Sequence, residues 1–440
     1  MKLLFGKSIL ALGLAAGMST AAFATQGVTD TEVVIGSNGD LSGIFAAFNV
    51  GAIKAAQNMF DEINAEGGIH GRQIRFVVED HGYQVPRAVQ NFNKLVNSDQ
   101  VFAMILNLGT PHNIAGFQIM EPKQVANIGP LTSARQMLEG DITYKYSGFA
   151  TYYDGLRAGI KMLAEEGGDE VANICSMYLP SDFGLEVHEA AVDEAEALGL
   201  TFASETTHRP DEQDFVGAVT KLRDDGCDIV ATGVDVRQTI IALGTAKRLG
   251  WEDVKFIGSS AGFKTAIAKV EGGVTEGYYA AAGWADHEDR MDNPEVKAWA
   301  ENYQEKNGEP AGTAAILGHG AATALVRALE AAGPDLTAES FQAAMESLEY
   351  TDVISGDIPV KYGPEDHQGG STIVISKIEG GKWIEVARVK PEAEGDAAAP
   401  AATDAAPAAT DAAAPAATDA APAATDSAPA EGEEETDAAD

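Results

Sequence analysis

From Val33 onward the chain alternates short apolar runs with amphipathic stretches of helical length. Val33-Val34-Ile35-Gly36 is an apolar run closed by glycine. Gly51 to Ala65 then places Ala52, Ala55, Ala56, Met59, Phe60 and Ile63 at helical spacing. The glycines of EGGIHGRQI turn the chain into a strand at Ile74–Glu79, followed by an amphipathic Pro86–Val96 and a buried-type strand at Val101–Leu106. The rhythm repeats further on. Strands are predicted at Glu170–Met177, Thr201–Glu205, Asp228–Thr232 and Lys255–Ile257, and helices at Gly184–Leu198, Gln213–Asp225 and Arg237–Leu249. Three more helical stretches follow, Pro294–Lys306, Ile316–Ala332 and Ala338–Ser347. Strand-like segments at Ser371–Ile378 and Trp383–Val386 come last, joined by a hairpin through Gly380-Gly381. Strand–helix alternation of this kind predicts an α/β fold, with parallel sheets covered on both faces. In such sheets ligands sit beyond the carboxyl ends of the strands, so the loops just after each strand are the ones to inspect.

The ends of the chain break the pattern. Lys2 and Lys7, the apolar stretch Ser8–Gly17 and the small-x-small Ala22-Phe23-Ala24 predict a cleaved signal peptide over residues 1–24. No cysteine follows the cleavage site, so no lipid anchor is expected, and no later apolar segment is long enough to span a bilayer. From Pro391 the segment PAATD occurs four times, and EGEEETDAAD ends the chain. Such a segment has little to bury against its ordering entropy, and proline in each repeat interrupts any helix. Residues 391–440 are therefore expected to form a disordered acidic tail.

The formal net charge is −37 over 440 residues, and the tail's thirteen acidic residues leave the remainder acidic too. That excludes nucleic acid and anionic membrane surfaces as natural partners. An export route permits a disulfide, yet Cys175 and Cys227 both lie in apolar strand-like runs, so a bridge and two buried thiols are both open. The histidines show no ligand spacing, and neither H-E-x-x-H nor a P-loop is present, so no metal, no cofactor and no enzymatic activity is expected.

Two stretches, INAEGGIHGRQI (Ile63–Ile74) and LSGIFAAF (Leu41–Phe48), make residues 31–390 resemble the periplasmic leucine/isoleucine/valine-binding proteins, the substrate-binding subunits of branched-chain-amino-acid-type ABC importers. The resemblance implies a type I periplasmic binding protein fold: two doubly wound parallel-sheet lobes joined by three crossover segments. On that template residues 25–148 and 283–354 form lobe one, and residues 149–282 and 355–390 form lobe two. It further implies a periplasmic monomer that closes on a small amino acid or related carboxylate or amide and hands it to a membrane permease. A sensory protein that presents such a ligand to a receptor has the same sequence signature.

The resemblance also implies site residues. Gly109 and Thr110 match the loop that holds a ligand carboxylate; Pro130, Leu131 and Thr132 match the second such loop, and Phe48 an aromatic wall. In lobe two, Phe183 matches an aromatic lid with Asp182 beside it, Asp235 sits at the tip of another contact loop, and Ser260 lies in GSSAGF (Gly258–Phe263). Amino-acid binders place an acid for the ligand ammonium in this last segment; here Ser259, Ser260 and Ala261 stand instead. Each assignment has a plainer counterpart: Phe48 and Phe183 as core aromatics, Thr110 and Thr132 as helix caps, Asp235 as a cap or a solvated loop acid.

Overall fold

A computed structural model describes residues 25–390; the leader expected over 1–24 and the tail expected over 391–440 lie outside the described residues. The first run of alternating elements builds one parallel sheet. Its strands are β1 (Glu32–Gly39), β2 (Gln73–Asp80), β3 (Ala103–Ile105), β4 (Ala126–Ile128) and β5 (Lys145–Tyr146), in the order β2-β1-β3-β4-β5. Seven of the eight β1 residues are buried, as a strand covered on both faces requires. The connecting helices are α1 (Ala46–Ala65), α2 (Val85–Asn93) and α3 (Thr110–Met120). Pro86 and Pro111 sit in the first turns of α2 and α3, where a missing N–H costs nothing.

The second run builds a second sheet from β6 (Asn173–Tyr178), β7 (Thr201–Thr207), β8 (Ile229–Gly233), β9 (Lys255–Gly258) and β10 (Tyr279–Ala282). Its helices are α4 (Tyr152–Gly167), α5 (Asp182–Leu198), α6 (Val216–Asp224), α7 (Val236–Arg248) and the short α8 (Thr265–Ala268). The chain then returns to the first sheet through α9 (Pro294–Asn307), α10 (Thr313–Ala332) and α11 (Ala338–Met345). The hairpin β11 (Glu349–Asp352) with β12 (Ile358–Lys361) leads back to the second sheet, which β13 (Ile373–Glu379) and β14 (Lys382–Val389) complete. The full order there is β14-β13-β10-β9-β8-β6-β7.

Two features depart from the sequence reading. β13 pairs antiparallel with β10 and carries β14 along through the expected hairpin, so the second sheet is mixed rather than parallel. The tight turn that allows this uses Gly380 and Gly381, both at positive φ (60° and 75°) as a two-residue hairpin of this hand demands. The β11–β12 hairpin was not anticipated, because EYTD and IPVK are too short and too polar to give a periodic signal.

Lobe one is closed by α10 lying on α1. Gly318 permits that approach: a side chain there would collide with the carbonyl of Ala52. The passages between lobes run side by side. Ser147 N–H donates to His367 O at 2.9 Å, Gly369 N–H to Ser147 O at 2.9 Å, and Ala285 N–H to Ser355 O at 2.9 Å. The chain thus crosses three times through one narrow waist. Cys175 and Cys227 form a disulfide that ties β6 to the segment entering β8, within lobe two; the bridge, of the two alternatives, is the one present.

Candidate functional site

The ends of β3 and β4 face the gap between the lobes. An isolated parallel bridge, Leu108 to Leu131, extends their pairing past the strands and brings the two following loops together. Gly109 caps α3 with φ at 96°, a conformation that strains any residue bearing a Cβ, and a Cβ there would also collide with the ring of His112. Thr110 opens the helix. Its Oγ1 lies 2.7 Å from Oγ1 of Thr132, and both residues are buried. Tyr152, the first residue of α4, donates its N–H to Ser133 O at 2.8 Å, and its phenol meets the Thr132 hydroxyl. Burial pushes the Tyr152 hydroxyl up to about 12, so it stays protonated and available as a donor at neutral pH.

Aromatic rings wall this spot from both lobes. Phe45 packs on Tyr83 with centroids 4.7 Å apart. Phe183, in the first turn of α5, reaches across to Phe45 at 6.2 Å and to Tyr152 at 5.1 Å, both edge-on. Together with Phe48, Leu108, Gly109, Thr110, Leu131, Ala261 and Lys264 they line a space of about 320 Å³, part of it open to solvent. An adjoining space of about 550 Å³ shares Phe48, Leu131 and Tyr152 and is lined further by Pro130, Thr132, Ser260, Trp284 and Phe149.

The structure therefore brings eight of the ten residues assigned from sequence to these two spaces: Phe48, Gly109, Thr110, Pro130, Leu131, Thr132, Phe183 and Ser260. Asp182 and Asp235 line neither. Asp182 begins α5 behind the Ser181 cap, and Asp235 caps α7, its Oδ1 accepting from Gln238 N–H at 2.7 Å while Gln238 Oε1 returns the bond. The other Asp235 oxygen, Oδ2, stands 3.9 Å from the Arg237 guanidinium, and burial raises the carboxyl above the usual range. Capping is thus an observed role for Asp235.

Gly258 to Gly262 spells G-x-S-x-G around Ser260, the pattern of a hydrolase nucleophile elbow. Here it leaves β9 into a three-residue 3-10 turn rather than straight into a long helix, and no histidine hydrogen-bonds Ser260 among the described residues.

Sequence reasoning missed the most distinctive residue of the site. Lys264 follows that turn and is only 3 % exposed. Its backbone is fixed: the buried Trp383 indole donates to Lys264 O at 2.9 Å, and Thr265 and Thr313 exchange N–H to hydroxyl bonds at 3.3 and 2.9 Å, tying the loop to the start of α10. Its Nζ lies over the ring of Phe48 and has no hydrogen-bond partner. Burial pulls the ammonium well below its ordinary pKa. In the sequence, a lysine in a glycine-containing loop reads as a solvated charge, which is why it carried no signal. Phe45, Tyr83 and Tyr152 were missed for a similar reason, since single aromatics in loops do not show which way they face.

A polar clasp flanks the site. The Glu186 carboxylate on α5, itself buried, accepts from Arg135 N–H at 3.0 and 3.2 Å and from Tyr153 N–H at 3.2 Å. The Arg135 side chain bonds Glu189 at 2.6 Å and lies over the Tyr153 ring. This joins the loop after β4 in lobe one to two helices of lobe two. Burial pushes Glu186 up to about 7 despite those donors.

Comparison with known proteins adds the following. A family model described as "Periplasmic binding protein" matches residues 32–382. The chain is 24% identical over 335 residues to the leucine-, isoleucine-, valine-, threonine-, and alanine-binding protein of Pseudomonas aeruginosa, covering 75% of this chain and 87% of that one. Among solved structures it is similar to a fatty acid ABC transporter substrate-binding protein from Thermomonospora curvata, with TM-score 0.74, 26% identity, and 82% and 93% of the two chains covered. It is also similar to a branched chain amino acid ABC transporter protein from Thermus thermophilus with bound valine, with TM-score 0.73, 18% identity, and 81% and 96% covered.

Proposed function

The chain belongs to the periplasmic binding protein family, and on that premise we propose that it is the substrate-binding subunit of an ABC importer, working in the periplasm as a monomer. It takes a small amino acid or a related carboxylate or amide, without chemical turnover. The observation that carries this reading is the 320 Å³ space whose wall comes from both lobes: Phe45, Phe48, Tyr83 and Thr110 from one, Tyr152, Phe183 and Lys264 from the other. A site shared in this way is completed only when the lobes approach, so ligand binding and closure are one equilibrium.

The proposed cycle begins with the ligand docking on lobe one, where the Gly109–Thr110 helix start and Thr132 offer donors to an anionic or carbonyl oxygen. Lobe two then covers it with Phe183, Tyr152 and the loop bearing Ser260 and Lys264. Closure excludes water and strengthens each polar contact by lowering the local dielectric. The closed form presents a surface from both lobes to the permease. The amino-acid specificity in the name of the Pseudomonas relative and the fatty acid in that of the Thermomonospora neighbour bracket the ligand classes.

A thermal-shift screen against amino acids, amides and small carboxylates tests the proposal. A true ligand raises the melting temperature by mass action and contracts the molecule in small-angle scattering. If no member of the panel does either, the chain is not a binding protein for this class.

A further inference from the structure

We infer that Lys264 is the counter-charge for a ligand carboxylate, and that the pocket takes a monocarboxylate with an apolar body and no α-ammonium. This rests on the binding-protein reading above and names the ligand class for that same site.

The argument starts from an unbalanced group. Lys264 is buried, its Nζ touches no hydrogen-bond acceptor, and it faces a space shared by the two lobes. A desolvated ammonium without a partner is costly and persists only where something repays it. Within the protein only the face of the Phe48 ring meets it, a cation–π contact that offsets part of that cost. The residues lining the space with Lys264 include no Asp or Glu, and its nearest surface is the Phe48 ring. The missing partner is therefore an anion brought from outside. Thr110 and the phenols of Tyr83 and Tyr152 stand in the same lining as further donors. A carboxylate lying among them receives a charge-assisted bond and has its remaining lone pairs within reach of hydroxyls.

The same inventory argues against a ligand ammonium. A zwitterion would bring a second buried charge that needs a carboxylate or several acceptors. No acid lines the space: Asp40 accepts the N–H groups of Gly43 and Phe45, and Asp235, outside the lining, caps α7 through Oδ1 while its buried Oδ2 has no hydrogen-bond partner and stands 3.9 Å from Arg237. The rest of the wall is Phe45, Phe48, Leu108, Leu131, Phe183 and Ala261, a surface suited to a ring or an alkyl chain.

Isothermal calorimetry on the wild-type protein with benzoate, benzamide, octanoate and leucine tests this directly. The expected result is that benzoate or octanoate binds, that benzoate binds at least tenfold tighter than benzamide or octanoate tighter than leucine, and that Lys264→Met weakens the acid at least a hundredfold. Lys264→Met is also expected to raise the melting temperature without added ligand, because it removes a buried amine that has no hydrogen-bond partner. Leucine binding tighter than both acids, or acid binding that survives Lys264→Met unchanged, overturns the inference while leaving a binding protein in place. Failure of all four probes, and of the wider panel, removes the binding-protein reading itself. If the variant does not fold, the benzoate and benzamide pair on the wild-type protein still decides between carboxylate and neutral ligand.

Discussion

Thr110 and Thr132 hold their hydroxyl oxygens 2.7 Å apart across the ends of two adjacent strands, so each is a partner of the other. Neither hydroxyl is stranded in the apolar pocket, and both lie where a ligand oxygen would compete for them. Replacing both by alanine is expected to cost about 1–3 kcal/mol of ligand affinity, the worth of two hydrogen bonds, and also some fold stability, because Thr132 Oγ1 accepts from Ala134 N–H at 3.3 Å and meets the Tyr152 phenol. Calorimetry with the tightest ligand from the screen reads this. Undiminished affinity would take these loops out of the site.

The Glu186 clasp makes a pH-dependent contribution of defined sign. Its folded pKa, about 7, lies above the ordinary 4.5, so the folded protein holds a proton there that the unfolded chain releases. Its contribution is fully present below about pH 4.5 and is lost as pH rises through about 7. Glu186→Gln does not titrate. Urea unfolding at pH 5 and pH 8 should show the variant gaining on the wild type by up to about 3 kcal/mol at the higher pH. A gap that does not move with pH would place Glu186 in water.

His81 and His112 act in the opposite direction. Their rings stack at 4.4 Å, both are buried, and burial pulls each down to about 4 from 6.5. The unfolded chain binds protons first, so their contribution is intact above about pH 6.5 and is lost as pH falls through about 4. In the Glu186→Gln background, where the opposing titration is absent, stability should fall between pH 6.5 and 4, with a shallower slope once His112→Gln is added. Equal slopes would show that the pair does not titrate on unfolding.

Reduction of Cys175–Cys227 releases a bridge between residues 52 apart in sequence. In the chain-entropy picture this costs up to about 4 kcal/mol. The bridge lies within lobe two, and neither cysteine lines the cavity. The melting temperature should therefore drop on adding reductant or in Cys175→Ser/Cys227→Ser, while ligand affinity measured well below the melting point stays within about twofold. A large loss of affinity would link the bridge to the site.

Much of the architecture was legible because it depends on periodicity. The apolar run at Val33–Ile35 and the helical spacing of Ala52 through Ile63 appear as β1 and α1, and the Gly380-Gly381 turn appears as the β13–β14 hairpin. Periodicity says nothing about pairing between distant segments, so the antiparallel pairing of β13 with β10 and the β11–β12 hairpin were not foreseen. At the site, strand-end loops such as Gly109-Thr110 and Pro130-Leu131-Thr132 could be located because strands point at them. Side chains whose role depends on burial could not. Asp235, read as a contact residue with a cap as the alternative, caps α7, while Lys264, which drew no reading from the sequence, is buried. Burial is set by elements up to 119 residues apart along the chain, here the loop after β9, α10 and β14, and local sequence does not report it.

The packing of α10 on α1, with Gly318 against Ala52, sets the order in which this protein is able to mature. As the chain is made or threaded through a pore from its N-terminus, the first sheet emerges long before the helix that covers it. The second sheet waits longer still, for β13 and β14 at the far end. Neither half can be finished early and parked. Contacts this distant in sequence are slow to form and leave apolar faces open meanwhile. A polypeptide with this wiring commits to its final form only after nearly all of it has been made.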